Sequence, residues 1–367
     1  SMSKAAELAA LIANVNKGSS LGNKNFIING AQNVAQRGTS STGLGGSTGY
    51  FVTDRNKLVF STSGRLTMEQ VADGPSGFLN ATKLSCTTAD TSIGAGENFL
   101  FSQYFEGQNL QSLKKGTSDA VPITVSFYVK GNASATYGME IYDLDNTRSI
   151  STTFDVTTGW TRVEKTFAGD TTGALDDDNN ASLAIFLWLH AGSDSNSGTL
   201  NTSWNSVTAA NRTDSNNTSF FDSTSRTFFI TGWQMEIGEK ATEFEHEPFE
   251  TTLRKCQRYY LKRLAGSAYS YWASGHNASH FAARLHQNFP VEMNHIPVLE
   301  TSAASTFYAY SIDTVDLSDV PTINNPSVWG SAVTFTTASS GLTAGRGANA
   351  IAKDSAGTAF LAFESEL

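Results

Sequence analysis

The sequence predicts an all-β protein: an antiparallel jelly-roll sandwich with a short N-terminal helix and a second, smaller C-terminal β domain. Three observations predict it. Segments of alternating apolar and polar residues recur along the chain. No helical crossover separates those of the central region. The composition favours turn formers over charge.

Composition sets the frame. Of 367 residues only 16 % are charged, against about 25 % in an ordinary soluble domain. Ser, Thr, Asn and Gly fill the difference, with 31 Gly against 7 Pro. Gly and Asn tolerate the positive φ of tight turns, so this mixture suits many short strands. Aromatics reach 11 %, 23 of them Phe, which supplies a core that a disordered polar chain lacks.

The strands follow from period-two alternation. LysLeuValPheSer (57–61), ArgLeuThrMetGluGln (65–70), AlaThrLysLeuSerCysThr (81–87) and PheLeuPheSerGlnTyrPheGlu (99–106) have it. So do segments 122–130, 137–143, 161–167, 182–190 and 226–237. Antiparallel strands without helical crossovers bury their apolar faces by pairing two sheets. A polar stretch at 191–225 interrupts the pattern as a long insertion, and Phe220 and Phe221 suggest that its return leg is anchored. The Gly/Ser-rich segment 39–49 reads as a flexible loop.

Three regions emerge: 1–24, 25–250 and 251–367. In the first, Leu8, Leu11, Ile12 and Val15 form a narrow apolar stripe on a helix over 4–16. About three turns are too short to stand alone, so the stripe docks on its own domain or in a bundle with copies from other chains. After residue 250 the chain reads as a short helix or turn running into a strand, then a second β-rich unit.

The charge balance narrows the partners. A net charge of −9 argues against nucleic acid. No apolar run approaches the length of a membrane span. The opening SerMet resembles an expression scar, and no signal-peptide core follows it. Cys86 and Cys256 are expected as two buried free thiols.

Three stretches resemble bacteriophage and prophage tail-fibre proteins when taken in order. AsnPheIleIleAsnGlyAlaGlnAsnValAlaGlnArgGly (25–38) leads into Tyr50 and ThrAspArg (53–55). PheIleThrGlyTrpGlnMetGluIleGlyGluLysAlaThrGluPheGlu (229–245) is similar to the exit strand of their central domain. ArgLysCysGlnArgTyrTyr (254–260) and PheProValGluMetAsnHisIlePro (289–297) resemble the unit that follows. The resemblance implies a virion structural protein, a homotrimer whose middle is a carbohydrate-binding-module-like jelly roll. ThrAspArgAsnLys (53–57) departs from the pattern, which commonly has an aromatic after the Arg, and the 191–225 insertion is longer than usual. Both put transfer of ligand specificity in doubt.

Catalytic signatures are missing from the sequence. It holds no HisGluXaaXaaHis and no phosphate-cradling Gly loop, and its GlyXaaSerXaaGly match, Gly45–Gly49, falls inside the Gly/Ser-rich loop rather than on a strand-to-helix elbow, so no enzymatic activity and no cofactor are expected. AspAspAspAsnAsn (176–180) and AspLeuAspAsn (143–146) fall at turns, where they are candidate structural calcium sites or plain turn stabilisers. His276, His280, His286 and His295 cluster in sequence, either as metal ligands or as polar strand faces.

Sugar binding is the more physical expectation. Sugars present apolar C–H faces rimmed by hydroxyls, and aromatics paired with polar side chains suit them. Trp204, Tyr104, Tyr142, Trp160 and Trp272 are the candidate carbohydrate-binding residues, with Trp204 favoured because it lies on the insertion. Trp188 and Trp233, inside strand runs, are expected in the core. The expected role is a tail fibre or receptor-binding protein in the virion, joined to other virion proteins through its N-terminus and contacting host surface glycans. The alternatives are a head or collar fibre or decoration protein that binds no glycan, and, further off, a polysaccharide-degrading tailspike. The parallel coils of such tailspikes are not visible here.

Overall fold

A computed structural model describes residues 24–353 and 358–367, so the helix read at 4–16 lies outside the described residues. Two compact units divide the chain, the first ending at Phe249 and the second beginning at Glu250.

The first unit is the expected antiparallel sandwich. One sheet has the order β1-β4-β5-β13-β7-β10, from β1 (Ser40–Leu44), β4 (Arg65–Val71), β5 (Ala81–Thr88), β7 (Ile123–Gly131), β10 (Thr161–Phe167) and β13 (Thr227–Ile237). The other has the order β12-β9-β8-β11-β6-β3-β2. Its strands are β2 (Gly49–Tyr50), β3 (Lys57–Ser61), β6 (Asn98–Glu106), β8 (Ala135–Asp143), β9 (Arg148–Val156), β11 (Ala181–Ala191) and β12 (Asn205–Ser206).

All nine segments expected from alternation form strands, and the differences have local causes. Ser40–Leu44 is a strand rather than a free loop; it pairs with β4 through a register shift, and Gly43 there has φ 73°, which glycine adopts at little cost. β9 escapes a reading by hydrophobicity because SerThrThr runs through its middle. Its inward residues Ile150, Phe154 and Val156 are nonetheless buried.

The core between the sheets is aromatic. Phe101 packs against Trp233 at 5.6 Å, Phe127 edge-on against Phe154 at 5.2 Å, and Phe99 against Phe60, Phe220 and Phe221 at 4.8, 5.6 and 5.5 Å. Phe220 and Phe221 thus pin the return leg of the insertion. Each such ring buries on the order of 150–250 Å², which offsets much of the entropy of ordering so many strands.

The segment 25–38 and the turn 53–56 form a largely buried polar network against β5, β6 and β13. Asn29 Nδ2 donates to the carbonyls of Val34 and Asp54 at 2.9 and 3.1 Å. Thr82 Oγ1 donates to Gln32 Oε1 at 2.7 Å, and Asn56 Nδ2 to Thr53 Oγ1 at 2.8 Å. Asp54 Oδ1 accepts the Gln36 amide at 2.8 Å, while Gln103 on β6 brackets the Ile28 backbone at 2.7 and 3.0 Å. Asn29, Gln32 and Arg55 adopt φ of 63°, 58° and 70°; Asn29 and Gln32 are tied by these bonds, and Arg55 Nη2 donates to the Tyr104 carbonyl at 2.8 Å. The residues that carry the tail-fibre resemblance are therefore bound into the fold.

The second unit opens with the helix Phe249–Gln257. A three-stranded sheet joins β14 (Tyr260–Leu264), β23 (Phe360–Glu364) and β17 (Val298–Thr301). A seven-stranded sheet has the order β19-β18-β22-β15-β16-β21-β20, built from β15 (Tyr271–Asn277), β16 (Ala282–Asn288), β18 (Phe307–Tyr310), β19 (Thr314–Asp316), β20 (Thr322–Asn324), β21 (Gly330–Thr336) and β22 (Gly347–Ala352). Phe307, Phe335, Leu361 and Phe363 centre its core. His276, His280 and His286 are exposed and His295 half-buried, and these four are not among the clustered metal-type side chains of the described residues.

Two outcomes are expected. Asp54→Ala removes the acceptor for the Gln36 amide inside the polar network and should cost about 1–3 kcal/mol, read from urea denaturation. Cys86 and Cys256 are both free and buried, and burial, then the charge of Asp222, pushes the Cys86 thiol up to about 11. Neither thiol should react with a disulfide reagent at about pH 8 in the native state, because both are buried and, at Cys86, little thiolate forms. Both should react after denaturation.

Candidate functional site

Side chains on a strand alternate between faces, and in β11 both faces carry bulk. Leu183, Ile185, Leu187 and Leu189 enter the core; Ala184, Phe186 and Trp188 belong to a separate cluster on the outer face of the seven-stranded sheet. Register brings neighbours into rows across β8, β11 and β6: Tyr142, Ala184 and Tyr104; then Glu140, Phe186 and Ser102; then Gly138, Trp188 and Leu100. Trp188 is buried as expected, but on this face and outside the sandwich core. The insertion covers it.

The rows make an aromatic platform. Tyr104 and Tyr142 flank the small Ala184, and each meets Phe186 at 5.8 Å, tilted 71° and 54°. Lys57 Nζ stands 4.4 Å from the centre of the Tyr104 ring. Arg212, from the insertion, lies 4.9 Å over Tyr142 and 4.8 Å over Trp188. Its Nε and Nη2 donate to the fully buried Glu140 carboxylate at 3.1 and 2.9 Å, which also accepts Trp188 Nε1 at 3.0 Å. Gly138 makes room for the insertion, since a Cβ there would meet Thr213 Oγ1 at 2.1 Å.

Donors and acceptors remain at the platform's surface. Among the described residues neither the Tyr104 nor the Tyr142 hydroxyl has a protein hydrogen-bond partner, nor does Arg212 Nη1. Burial pushes the Tyr104 phenol up, with Arg212 pulling the other way, so the hydroxyl is a neutral donor and acceptor.

The other three candidates lie elsewhere. Trp204 anchors the insertion: its indole N–H donates to the Ala168 carbonyl at 2.7 Å, and it walls a cleft of about 470 Å³ with Arg148, Lys165, Thr166 and Asp170. Trp160 stands edge-on to Phe229 at 6.2 Å and 5.1 Å from Lys130 Nζ. Trp272 belongs to the second unit, packed on Phe307 at 5.5 Å.

Beside Trp204 the chain buries an ammonium. Lys115 Nζ is held by the Asp143 carboxylate, by Asp170 Oδ2 at 3.0 Å and by the carbonyls of Thr172 and Gly173 at 3.1 and 2.9 Å. Arg148 completes the set on Asp170, Nε to Oδ2 at 2.8 Å and Nη2 to Oδ1 at 3.0 Å. The 143–146 turn, read as a candidate calcium site, is thus closed on an ammonium. In the 176–180 turn Asp178 Oδ1 accepts the Asn180 amide at 2.9 Å, and the Asp176 amide donates to Asp145 Oδ2 at 2.9 Å.

No protein-family model matches the chain, and neither does any curated protein. Solved structures do. A family 11 carbohydrate-binding module from Clostridium thermocellum, in complex with a β-1,3-1,4-mixed-linked tetrasaccharide, is 11 % identical over 57 % of this chain and 98 % of that one, with a TM-score of 0.28. A CBM4 structure is 10 % identical over the same shares, with a TM-score of 0.29. The enzymatically active domain of bacteriophage CBA120 tailspike protein 4 is 12 % identical over 59 % of this chain and 22 % of that one, with a TM-score of 0.30. The sandwich assignment stands on strand order and register, independently of these similarities.

Lys115→Met leaves the buried Asp143 carboxylate without its cation and Asp170 with Arg148 alone, and should cost about 3–5 kcal/mol in denaturant unfolding. Burial raises the Asp170 carboxyl, but hydrogen bonds from Arg148 and Lys115 outweigh this and hold it below the ordinary carboxylate range. Its contribution is therefore complete above the unfolded value of about 4 and lost as pH falls through the lower folded value. Melting temperatures measured from neutral pH downward should drop below about pH 4, and by less in Arg148→Gln.

Proposed function

We propose that this chain is a non-enzymatic virion attachment protein, a bacteriophage tail fibre or receptor-binding protein, which holds host surface glycans on the Tyr104–Tyr142 platform. One observation carries the reading. Two half-buried tyrosines with unpartnered hydroxyls flank Ala184 on a rigid sheet, beside a guanidinium fixed by a buried carboxylate. Ring faces suit the C–H faces of a sugar, while the hydroxyls and Arg212 Nη1 suit its hydroxyl rim.

The non-catalytic part is supported by Glu140. It is fully buried and bound by Arg212 and Trp188, which makes it a fixed anion that orients Arg212. A general acid has to reach the bond that it protonates. The virion part is supported by the motifs at 25–38, 53–55 and 229–245. Single sugar sites near millimolar correspond to only about 4 kcal/mol, and a homotrimer would raise effective affinity by about 10² or more without new contacts.

A glycan array, with mass photometry on the same sample, tests this. Trimers retained on host-type glycans are expected, with Tyr104→Ala and Tyr142→Ala each weakening retention about tenfold or more and Trp272→Ala leaving it unchanged. A monomer retained on no glycan overturns the attachment reading in favour of a structural fibre or decoration. Release of reducing ends from a polysaccharide overturns the non-enzymatic one.

A further inference from the structure

We propose that Asp90, Glu97 and His190 form a site for one divalent transition-metal ion of the zinc class. The three side chains offer one ligand atom each, all within 4.8 Å of one another, and among the described residues no other group of three or more His, Cys, Asp or Glu is so placed. They come from separate segments: Asp90 just after β5, Glu97 just before β6 and His190 near the end of β11.

The histidine points to a ligand. Its side chain is 0 % exposed, and its Nε2 is buried without a hydrogen-bond partner. The nearest carboxylate oxygen, Glu97 Oε2, lies 3.9 Å away, too far for a hydrogen bond. A buried polar atom left in this state is costly. The other ring nitrogen is already oriented: Nδ1 lies 2.8 Å from Ser219 Oγ, which accepts the Phe221 amide at 3.1 Å. Phe221 also packs edge-on against the ring at 5.5 Å. With Nδ1–H donating to Ser219, the Nε2 lone pair faces the two carboxylates. An oriented imidazole of this kind is a hallmark of metal-binding histidines.

The carboxylates are fixed as well. Asp90 Oδ2 accepts Thr62 Oγ1 at 3.0 Å and the Ser63 amide at 3.1 Å. Glu97 Oε2 accepts the Gly94 amide at 2.7 Å, and its Oε1 lies 3.5 Å from Ser63 Oγ. Ligands at zinc bond lengths stand about 3.4 Å apart, so the cluster closes with about 1 Å of movement, which the half-buried Glu97 can supply. One imidazole with two carboxylates suits zinc or manganese, whereas calcium asks for six to eight oxygens. The ion would staple the glycine-containing loop 89–97 to β11 and, through Ser219, to the return leg of the insertion.

The full chain, stripped with a chelator and dialysed, is titrated with Zn²⁺ by calorimetry, with Ca²⁺ as the control, and its melting is followed. The expected result is one Zn²⁺ bound per chain, a melting temperature raised by several degrees, and no response to Ca²⁺ at the same concentration. Glu97→Gln should melt like the parent without metal, showing an intact fold, yet bind Zn²⁺ at least tenfold more weakly. Asp90→Asn should weaken binding likewise, and His276→Gln with His286→Gln should leave it unchanged. Absence of stoichiometric binding overturns the proposal. So does binding that survives in Glu97→Gln and Asp90→Asn but disappears with His276 and His286.

Discussion

The buried ammonium of Lys115 is the constraint around which the first unit is arranged. It gathers the end of β8 through Asp143 and the loop after β10 through Asp170, Thr172 and Gly173. Arg148, at the start of β9, joins the same set and donates to the Trp204 carbonyl at 3.3 Å. Two cations meet two anions, so no net charge is buried. Attraction in such a cluster merely offsets desolvation, but its geometry admits few alternatives. The two sheets and the insertion meet here.

The fold was largely legible because its main signal is simple. Wherever apolar and polar residues alternate, as in β3 to β8, a strand forms. The signal weakens where burial is achieved without hydrophobicity, so β9, with SerThrThr at its centre, left no clear mark. The site was legible in part. Tyr104 and Tyr142 were visible as aromatics in strands, but nothing local says that β6 and β8 both border β11, which is what brings them together. Trp188 shows the same limit. Its strand reads as a continuous apolar run, and such a run marks a strand covered on both faces; which face takes the tryptophan depends on register. Arg212 and Glu140 are 72 positions apart and become partners only through the fold of the insertion.

The motifs behind the tail-fibre resemblance explain why architecture was easier to read than ligand. Asn29, Gln32, Asp54, Arg55 and Asn56 are all buried, and Asn29, Gln32, Asp54 and Asn56 bond one another, Thr53, Thr82, Gln36 and the backbone. Such residues are constrained by this network, whatever the outer face of the sandwich binds. A sequence can keep them while its platform changes completely.

Trp204 on the Ala168 carbonyl, Arg212 on Glu140, and Phe220 and Phe221 in the core fasten the insertion at three points. Loop length itself adds little entropic cost once both ends are fixed. The floor of the platform therefore belongs to the scaffold, while the wall bearing Arg212 belongs to an exchangeable part. On the proposed reading, that division sets recognition on the insertion and leaves the frame to hold it, as antibody loops are held on theirs.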